Sequence, residues 1–160
     1  MSDLRVPTLR HAVTITCTDG HTFDGHIFLP SQSSRTPGPM SAEEWSDTAP
    51  SFFPFRARDG DSSTIFSLDA IVAFTLTDVA AASGVADDTG VALPEFRVSV
   101  DARGATFEGR VTIDMPPDRQ RVADWLNAPA SFFMVRDGAT HHLIQKRHVT
   151  RVVELERTPV

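Results

Sequence analysis

The chain has 160 residues, of which 41% are hydrophobic, and a formal net charge of −6, a profile typical of an ordinary globular protein. Its apolar runs are far too short to span a bilayer, so no membrane partner is expected, and the negative charge argues against general polyanion binding. The N-terminus lacks the features of a signal peptide and Cys17 is the only cysteine. These features predict a cytoplasmic protein with no intrachain disulfide.

The chain opens with the pattern of a β-hairpin. Val13, Ile15 and Cys17 alternate with threonines, which is the period of a half-buried strand. Asp19-Gly20 predicts the turn, and the return strand is expected from Thr22 to Leu29. Gly25 lies within that strand, where a glycine indicates a bulge, a sharp bend or a close approach of another backbone.

A short helix is predicted next, followed by three strands. Ser41-Ala42-Glu43-Glu44 has the form of a capping box, so a helix carrying Trp45 is expected to begin there. The following apolar segments predict strands at 52–56, around 65–66 and at 71–76, with a break at 68–70 before the last one.

The same order of features returns about 80 residues later, which indicates a tandem duplication. The motif G-x-T-F-[DE]-G-x-[IV]-x-[LI] stands at 20–29 and again at 104–113, and Trp125 precedes a second Phe-Phe pair as Trp45 precedes the first. We therefore predict a first domain at 1–76, an acidic Ala/Gly linker at 77–95 and a second domain at 96–160.

The repeated unit resembles an SH3-like small β-barrel, and most closely its Sm-like (LSm-type) form. The first Sm motif is matched by Val98, Val100, Gly104, Phe107, Gly109 and Val111, and the second by the segment 143–149. The resemblance implies an all-β fold of two tandem five-stranded barrels, each with a short helix inserted after its second strand. The helix position departs from the Sm pattern, and the Asp-x-x-Asn uridine pocket is missing, so Sm-type RNA contacts are not assigned to any residue.

No catalytic or metal-binding pattern is apparent in the sequence. A catalytic triad, a nucleophile elbow, a phosphate loop and a dinucleotide fingerprint are all absent. The repeated acids Asp24 and Glu108 are expected to pair with a neighbouring arginine or to cap an amide. The histidines do not converge on one face and are interpreted as surface residues. The sequence thus predicts a protein that is not an enzyme and has no catalytic residue, no metal and no cofactor.

A basic second half supports one alternative. Residues 96–160 carry ten basic and eight acidic side chains, and an Sm-like RNA-binding module would use the cations among them. The candidate nucleic-acid contacts are Arg110, Arg119, Arg121, Lys146, Arg147 and Arg151. Exposed stacking aromatics, which single-strand binders use, are not evident beside them, so a salt-bridged surface is the preferred interpretation.

The main functional hypothesis is based on the two Phe-Phe strands. Adjacent residues of a strand face opposite sides, so Phe52, Phe132 and Met134 are expected to point away from the core. Large apolar side chains in such a position mark an interface. The first expected partner is the other repeat through a pseudo-two-fold contact, and the next is a homo-oligomer or another protein. We therefore predict a protein–protein adaptor or assembly module.

Overall fold

The computed structural model describes residues 7–60, 62–77 and 93–158, and it confirms an all-β architecture. In the first half, β1 is Thr8–Cys17, β2 Thr22–Pro30, α1 Ala42–Thr48, β3 Phe52–Ala57, β4 Ser63–Ser67 and β5 Ile71–Leu76. In the second half, β6 is Glu95–Ala102, β7 Ala105–Thr112, α2 Val122–Leu126, β8 Phe132–Asp137, β9 Thr140–Gln145 and β10 Val149–Thr158. A one-turn 3₁₀ helix precedes the last strand of each half, at Leu68–Ala70 and Lys146–His148, and another lies at Pro117–Arg119.

The ten strands form one antiparallel sheet in the order β10-β6-β7-β8-β9-β5-β1-β2-β3-β4. Each half repeats one local order, in which its fifth strand lies beside its first, followed by the second, third and fourth. The halves are joined where β5 pairs with β9. The strand pairing is therefore that of one open sheet, and the division into two closed barrels stays a prediction. Residues 78–92 of the predicted linker lie outside the described residues, and Glu95 already belongs to β6.

Two hydrophobic clusters form the interior, and each contains residues from both halves. The cluster of the first half includes Trp45, Phe53 and Phe74 and also takes in Phe132, Met134 and Leu143 from the second half. The cluster of the second half includes Val100, Phe107 and Phe133 and takes in Val72 and Ala73 from β5. Because apolar side chains cross the junction in both directions, the two halves stabilise each other.

The two strand glycines occupy equivalent positions of close backbone approach. A Cβ added at Gly25 would collide with the carbonyl oxygen of Arg56 and the ring of Phe55, and one added at Gly109 would collide with the carbonyl oxygen of Arg136. This agrees with the expectation of a close crossing. Only glycine lets the second strand of each half approach the third so closely.

The predicted capping box is half confirmed. The Ser41 hydroxyl accepts a hydrogen bond from the Glu44 amide at 3.2 Å, but the Glu44 carboxylate does not return to Ser41. It accepts from the Ser33 hydroxyl at 2.6 Å instead, which ties the loop after β2 to α1 and lowers the Glu44 pKa. In the part of the chain that the structure describes, no helix is long and apolar enough to cross a membrane.

Candidate interface at the sheet edges

The strand register defines which residues of the two halves are equivalent. Phe52 faces Ser67 across the β3–β4 pair, and Phe132 faces Gln145 across the β8–β9 pair. Counting along these pairs matches Phe52 with Phe132, Pro54 with Met134, and Ile65 with Leu143. We call Phe52, Pro54 and Ile65 the open patch, and Phe132, Met134 and Leu143 the covered patch.

The two patches have the same position in their halves but opposite solvent exposure. Phe52 is 65% exposed and Ile65 is 70% exposed, whereas Phe132 is 5% exposed and Leu143 is completely buried. Phe52 was predicted to point away from the core, and it is exposed; its assignment to an interface stays a prediction. The sequence analysis did not identify Ile65 as a surface residue.

The covered patch is buried by the first half. Leu143 lies directly opposite Phe74 in the β5–β9 pair, and the rings of Phe132 and Phe74 are 6.0 Å apart. Trp45 packs edge-on against Phe74, with ring centres 5.7 Å apart. The outer face of β8 and β9 therefore completes the core beneath α1.

Polar contacts fix the same junction. Thr75 Oγ1 and His142 Nδ1 are 2.9 Å apart across the β5–β9 pair. Arg147 donates to the Asp69 carboxylate at 2.5 Å, and His148 Nε2 lies 2.7 Å from the Asp69 carbonyl oxygen. Burial lowers the pKa of His142, which favours its neutral form. The register of the two halves is thus set by hydrogen bonds as well as by apolar packing.

The contact between the halves is head-to-tail, which corrects the expected pseudo-two-fold contact. In a two-fold contact, a strand of one repeat would pair with the equivalent strand of the other repeat. The fifth strand of the first half pairs instead with the fourth strand of the second. Among the strands that the structure describes, such a contact leaves the complementary edges unpaired. These are β4, which carries Ile65 of the open patch, and β10, which exposes Val153 and Leu155.

The candidate nucleic-acid residues are spread over several elements, and several of them are ion-paired. Arg110 lies 3.7 Å from Glu95, Arg147 pairs with Asp69, and Arg151 pairs with Asp101 at 2.8 Å. Lys146 donates to the Ala128 carbonyl oxygen at 3.0 Å, and burial lowers its pKa. Arg119 and Arg121 line a cleft near α2 together with Asp118 and Asp124. Carboxylates therefore accompany most of these cations.

The histidines and acids do not assemble a reactive centre in the described residues. No group of three His, Cys, Asp or Glu side chains in residues 7–60, 62–77 and 93–158 could hold a metal ion. The interpretation of all histidines as surface residues is wrong for His141 and His148, which are buried. Glu108 accepts from Arg97 at 2.5 Å and Asp24 from the Thr14 hydroxyl at 2.7 Å. Cys17 is buried, and burial raises its pKa, which is unlike an activated thiol.

Comparisons with protein-family models, with curated proteins and with solved structures gave no match for this chain. The features that bear on function are therefore the geometry of the two patches and of the two open edges.

Proposed function

We propose that this protein is a non-catalytic binding or assembly module that recruits a protein partner to the open patch and the adjoining edge of β4. The observation that carries this proposal is the contrast between Ile65, which is 70% exposed, and its buried equivalent Leu143. The covered patch shows how such a surface can be used. The same positions in the second half pack against β5 and the core of the first half. An exposed strand edge beside apolar side chains is a recognised docking site for another strand.

We further propose that each half is a small barrel of the SH3-like or Sm-like kind. Three repeated features support this interpretation: the strand order within each half, the close approach at Gly25 and Gly109, and the 3₁₀ turn before the last strand. In this arrangement the bend of the second strand lets the third and fourth strands curl over the core, so that their outer faces are presented to a neighbour.

The alternative function, RNA binding by the second half, has weaker support. Binding to phosphates needs cations that are free to replace counterions, and Arg110, Arg147 and Arg151 lie beside acidic partners within the chain. A titration of labelled single-stranded RNA at low and high salt tests this alternative directly. Salt-sensitive binding that Arg119→Ala and Arg121→Ala weaken would favour it over the adaptor.

Photo-crosslinking in cells tests the proposed function and captures a partner whose identity is unknown. A photoreactive phenylalanine analogue is placed at position 65 in one version of the chain and at position 9 in the other. Leu9 is also an exposed apolar residue, but it lies on β1, which is not an edge strand. We expect protein adducts from position 65 and few from position 9. Equal, background-level yields from both would refute the proposal.

A further inference from the structure

We infer that the partner of the open patch is a second copy of this chain, whose β10 pairs antiparallel with β4 in the register that β5 and β9 already use. The inference depends on the proposed function and names its partner. Inside the chain, the junction joins β5 of the first half to β9 of the second. The two open edges are the counterparts of these strands: β10 is the fifth strand of its half, like β5, and β4 is the fourth strand of its half, like β9.

The correspondence of β10 with β5 follows from their pairing with the first strand of each half. Ile71 faces Cys17 and Phe74 faces Ile15 in the first half. Val149 faces Ala102 and Val152 faces Val100 in the second. Cys17 and Ala102 are both buried, as are Ile15 and Val100. Val152 is therefore the counterpart of Phe74, which is the residue that Leu143 and Phe132 cover.

This correspondence specifies the register between copies. Inside the chain, Ala73, Phe74 and Thr75 face Ile144, Leu143 and His142 in turn. Transferred to β10 of one copy and β4 of the next, the pairs become Arg151 with Phe66, Val152 with Ile65, and Val153 with Thr64. Ile65 would then cover Val152, which is half-buried and packs against the second-half core. Phe52 would lie over Val152 of the other copy, as Phe132 lies over Phe74 inside the chain.

The charges at the 3₁₀ turns remain complementary in this arrangement. Asp69 and Arg147 occupy the same position in their turns, and inside the chain they form an ion pair at 2.5 Å. In the contact between copies, the same two positions bring Arg147 of one copy towards Asp69 of the next. Because the first repeat has Asp69 and the second has Arg147 at this position, the contact inside the chain and the contact between copies both place a carboxylate near a guanidinium.

The predicted assembly is heterologous, because β4 and β10 are different surfaces. A contact of this kind leaves one β4 and one β10 free at the ends of any chain of copies. It must therefore either close into a ring or grow as a filament. At every contact between copies, the exposed apolar side chains of the two edges become buried.

Disulfide trapping tests the register. Ile65→Cys and Val152→Cys chains are purified separately, mixed and oxidised by dissolved oxygen. Facing Cα atoms of an antiparallel pair are about 4.5–5.5 Å apart, within the span of a disulfide. Val153→Cys is the matched control, because its side chain points to the opposite face of β10. The native Cys17 is buried and should not compete.

We expect a covalent dimer from the mixture of the 65 and 152 variants, formed at least several-fold faster than from the mixture of the 65 and 153 variants. A dimer formed by the Ile65→Cys chain with itself at the same rate would indicate a β4–β4 contact and would overturn the inference. Equal rates for the 152 and 153 mixtures would also overturn it.

Light scattering supplies a second measurement that needs no cysteine. The unmodified chain should have a mass above that of one copy, Ile65→Lys should reduce it, and Leu9→Lys should not. An unmodified chain that is monomeric at every concentration would overturn the inference. The proposed function would then survive only if position 65 still crosslinked to a different protein in cells, so the two failures are distinguishable.

Discussion

The open patch and the covered patch show how one local sequence pattern acquires two different environments. Phe52 and Phe132 each begin the third strand of their half, and each is followed by a buried phenylalanine. Of these two residues, Phe132 packs into the core of the other half beside β5, whereas Phe52 has no such neighbour among the described residues. Strand alternation specifies only that these side chains point away from the core of their own half. Whether they are buried depends on whether another strand and its core lie next to them.

The first half carries large apolar side chains that are mostly exposed in the part of the monomer that the structure describes. Ile65 and Phe52 are the two most exposed large hydrophobic residues described. A large exposed apolar side chain on an edge strand favours association. Their presence therefore agrees with a surface that is covered in the assembled state, as the equivalent surface of the second half is covered within the chain.

The largest predicted effect separates the two patches by stability. Phe132→Ala should reduce the free energy of unfolding by about 3–5 kcal/mol, because it leaves a cavity between the two halves. Phe52→Ala should change it by less than about 0.5 kcal/mol in dilute, monomeric solution. Denaturant unfolding of both variants measures the difference. A loss for Phe132→Ala as small as the loss for Phe52→Ala would show that the covered patch is not part of the core.

The next effect concerns the two strand glycines, where the halves should behave alike. Gly25→Ala and Gly109→Ala each force a backbone shift and should cost about 1–3 kcal/mol of unfolding free energy. Gly60→Ala is the control, since the nearest atom to its added Cβ would be 3.8 Å away. We expect Gly60→Ala to lie within about 0.5 kcal/mol of the parent chain. A tolerated alanine at only one of the two strand positions would show that the halves bend differently.

These glycines also show what the sequence makes predictable. The turn at Asp19-Gly20 and the helix beginning after Ser41 depend on near neighbours, and the strand at 71–76 is marked by its own run of apolar residues. The structure places all three as predicted. The close approach at Gly25 was predictable because an isolated glycine within an apolar strand commonly marks a bend or a place where another backbone comes near.

The junction between the halves was not predictable in the same way. Pairing of β5 with β9 joins residues more than 60 positions apart, and no local pattern distinguishes the fourth strand of one repeat from that of the other. The sequence indicated that Phe132 and Met134 face away from their own core. Which surface buries them depends on the order of strands in the complete sheet, and the same limit explains why Ile65 was missed.

Acidification should weaken the fold at the junction before it affects the carboxylates. Burial lowers the pKa values of His141 and His142, so both are favoured as neutral side chains in the folded state. Above the ordinary histidine pKa of about 6.5, both side chains are neutral in the folded and in the unfolded chain, so they do not make stability depend on pH. Below this pKa the unfolded chain takes up protons more readily than the folded chain, and stability falls.

Urea midpoints measured at several pH values between about 7 and 5 test this prediction. We expect the midpoint to fall with pH, and we expect His141→Leu combined with His142→Gln to flatten the decline. Asp101 serves as the internal comparison, since its hydrogen bond from Thr106 lowers its pKa. Its contribution is lost only below about pH 4, the ordinary range of carboxylates. An unchanged slope in the double variant would contradict the assignment to these histidines.

The smallest predicted effect compares the two inserted helices. Ser41 caps α1 with its hydroxyl, whereas Arg121 holds the same extended backbone conformation before α2 but provides no side-chain cap. Ser41→Ala should therefore reduce the free energy of unfolding by about 1 kcal/mol. Arg121→Ser should raise it by about 0.5 kcal/mol, because a hydroxyl would satisfy an amide that now lacks a side-chain acceptor. Thermal or denaturant unfolding should show changes of opposite sign in the free energy of unfolding of the two variants.

Neither residue belongs to the open patch, so both variants should keep the mass of the unmodified chain in light scattering. A change in that mass would show that the helices also contribute to the contact between copies.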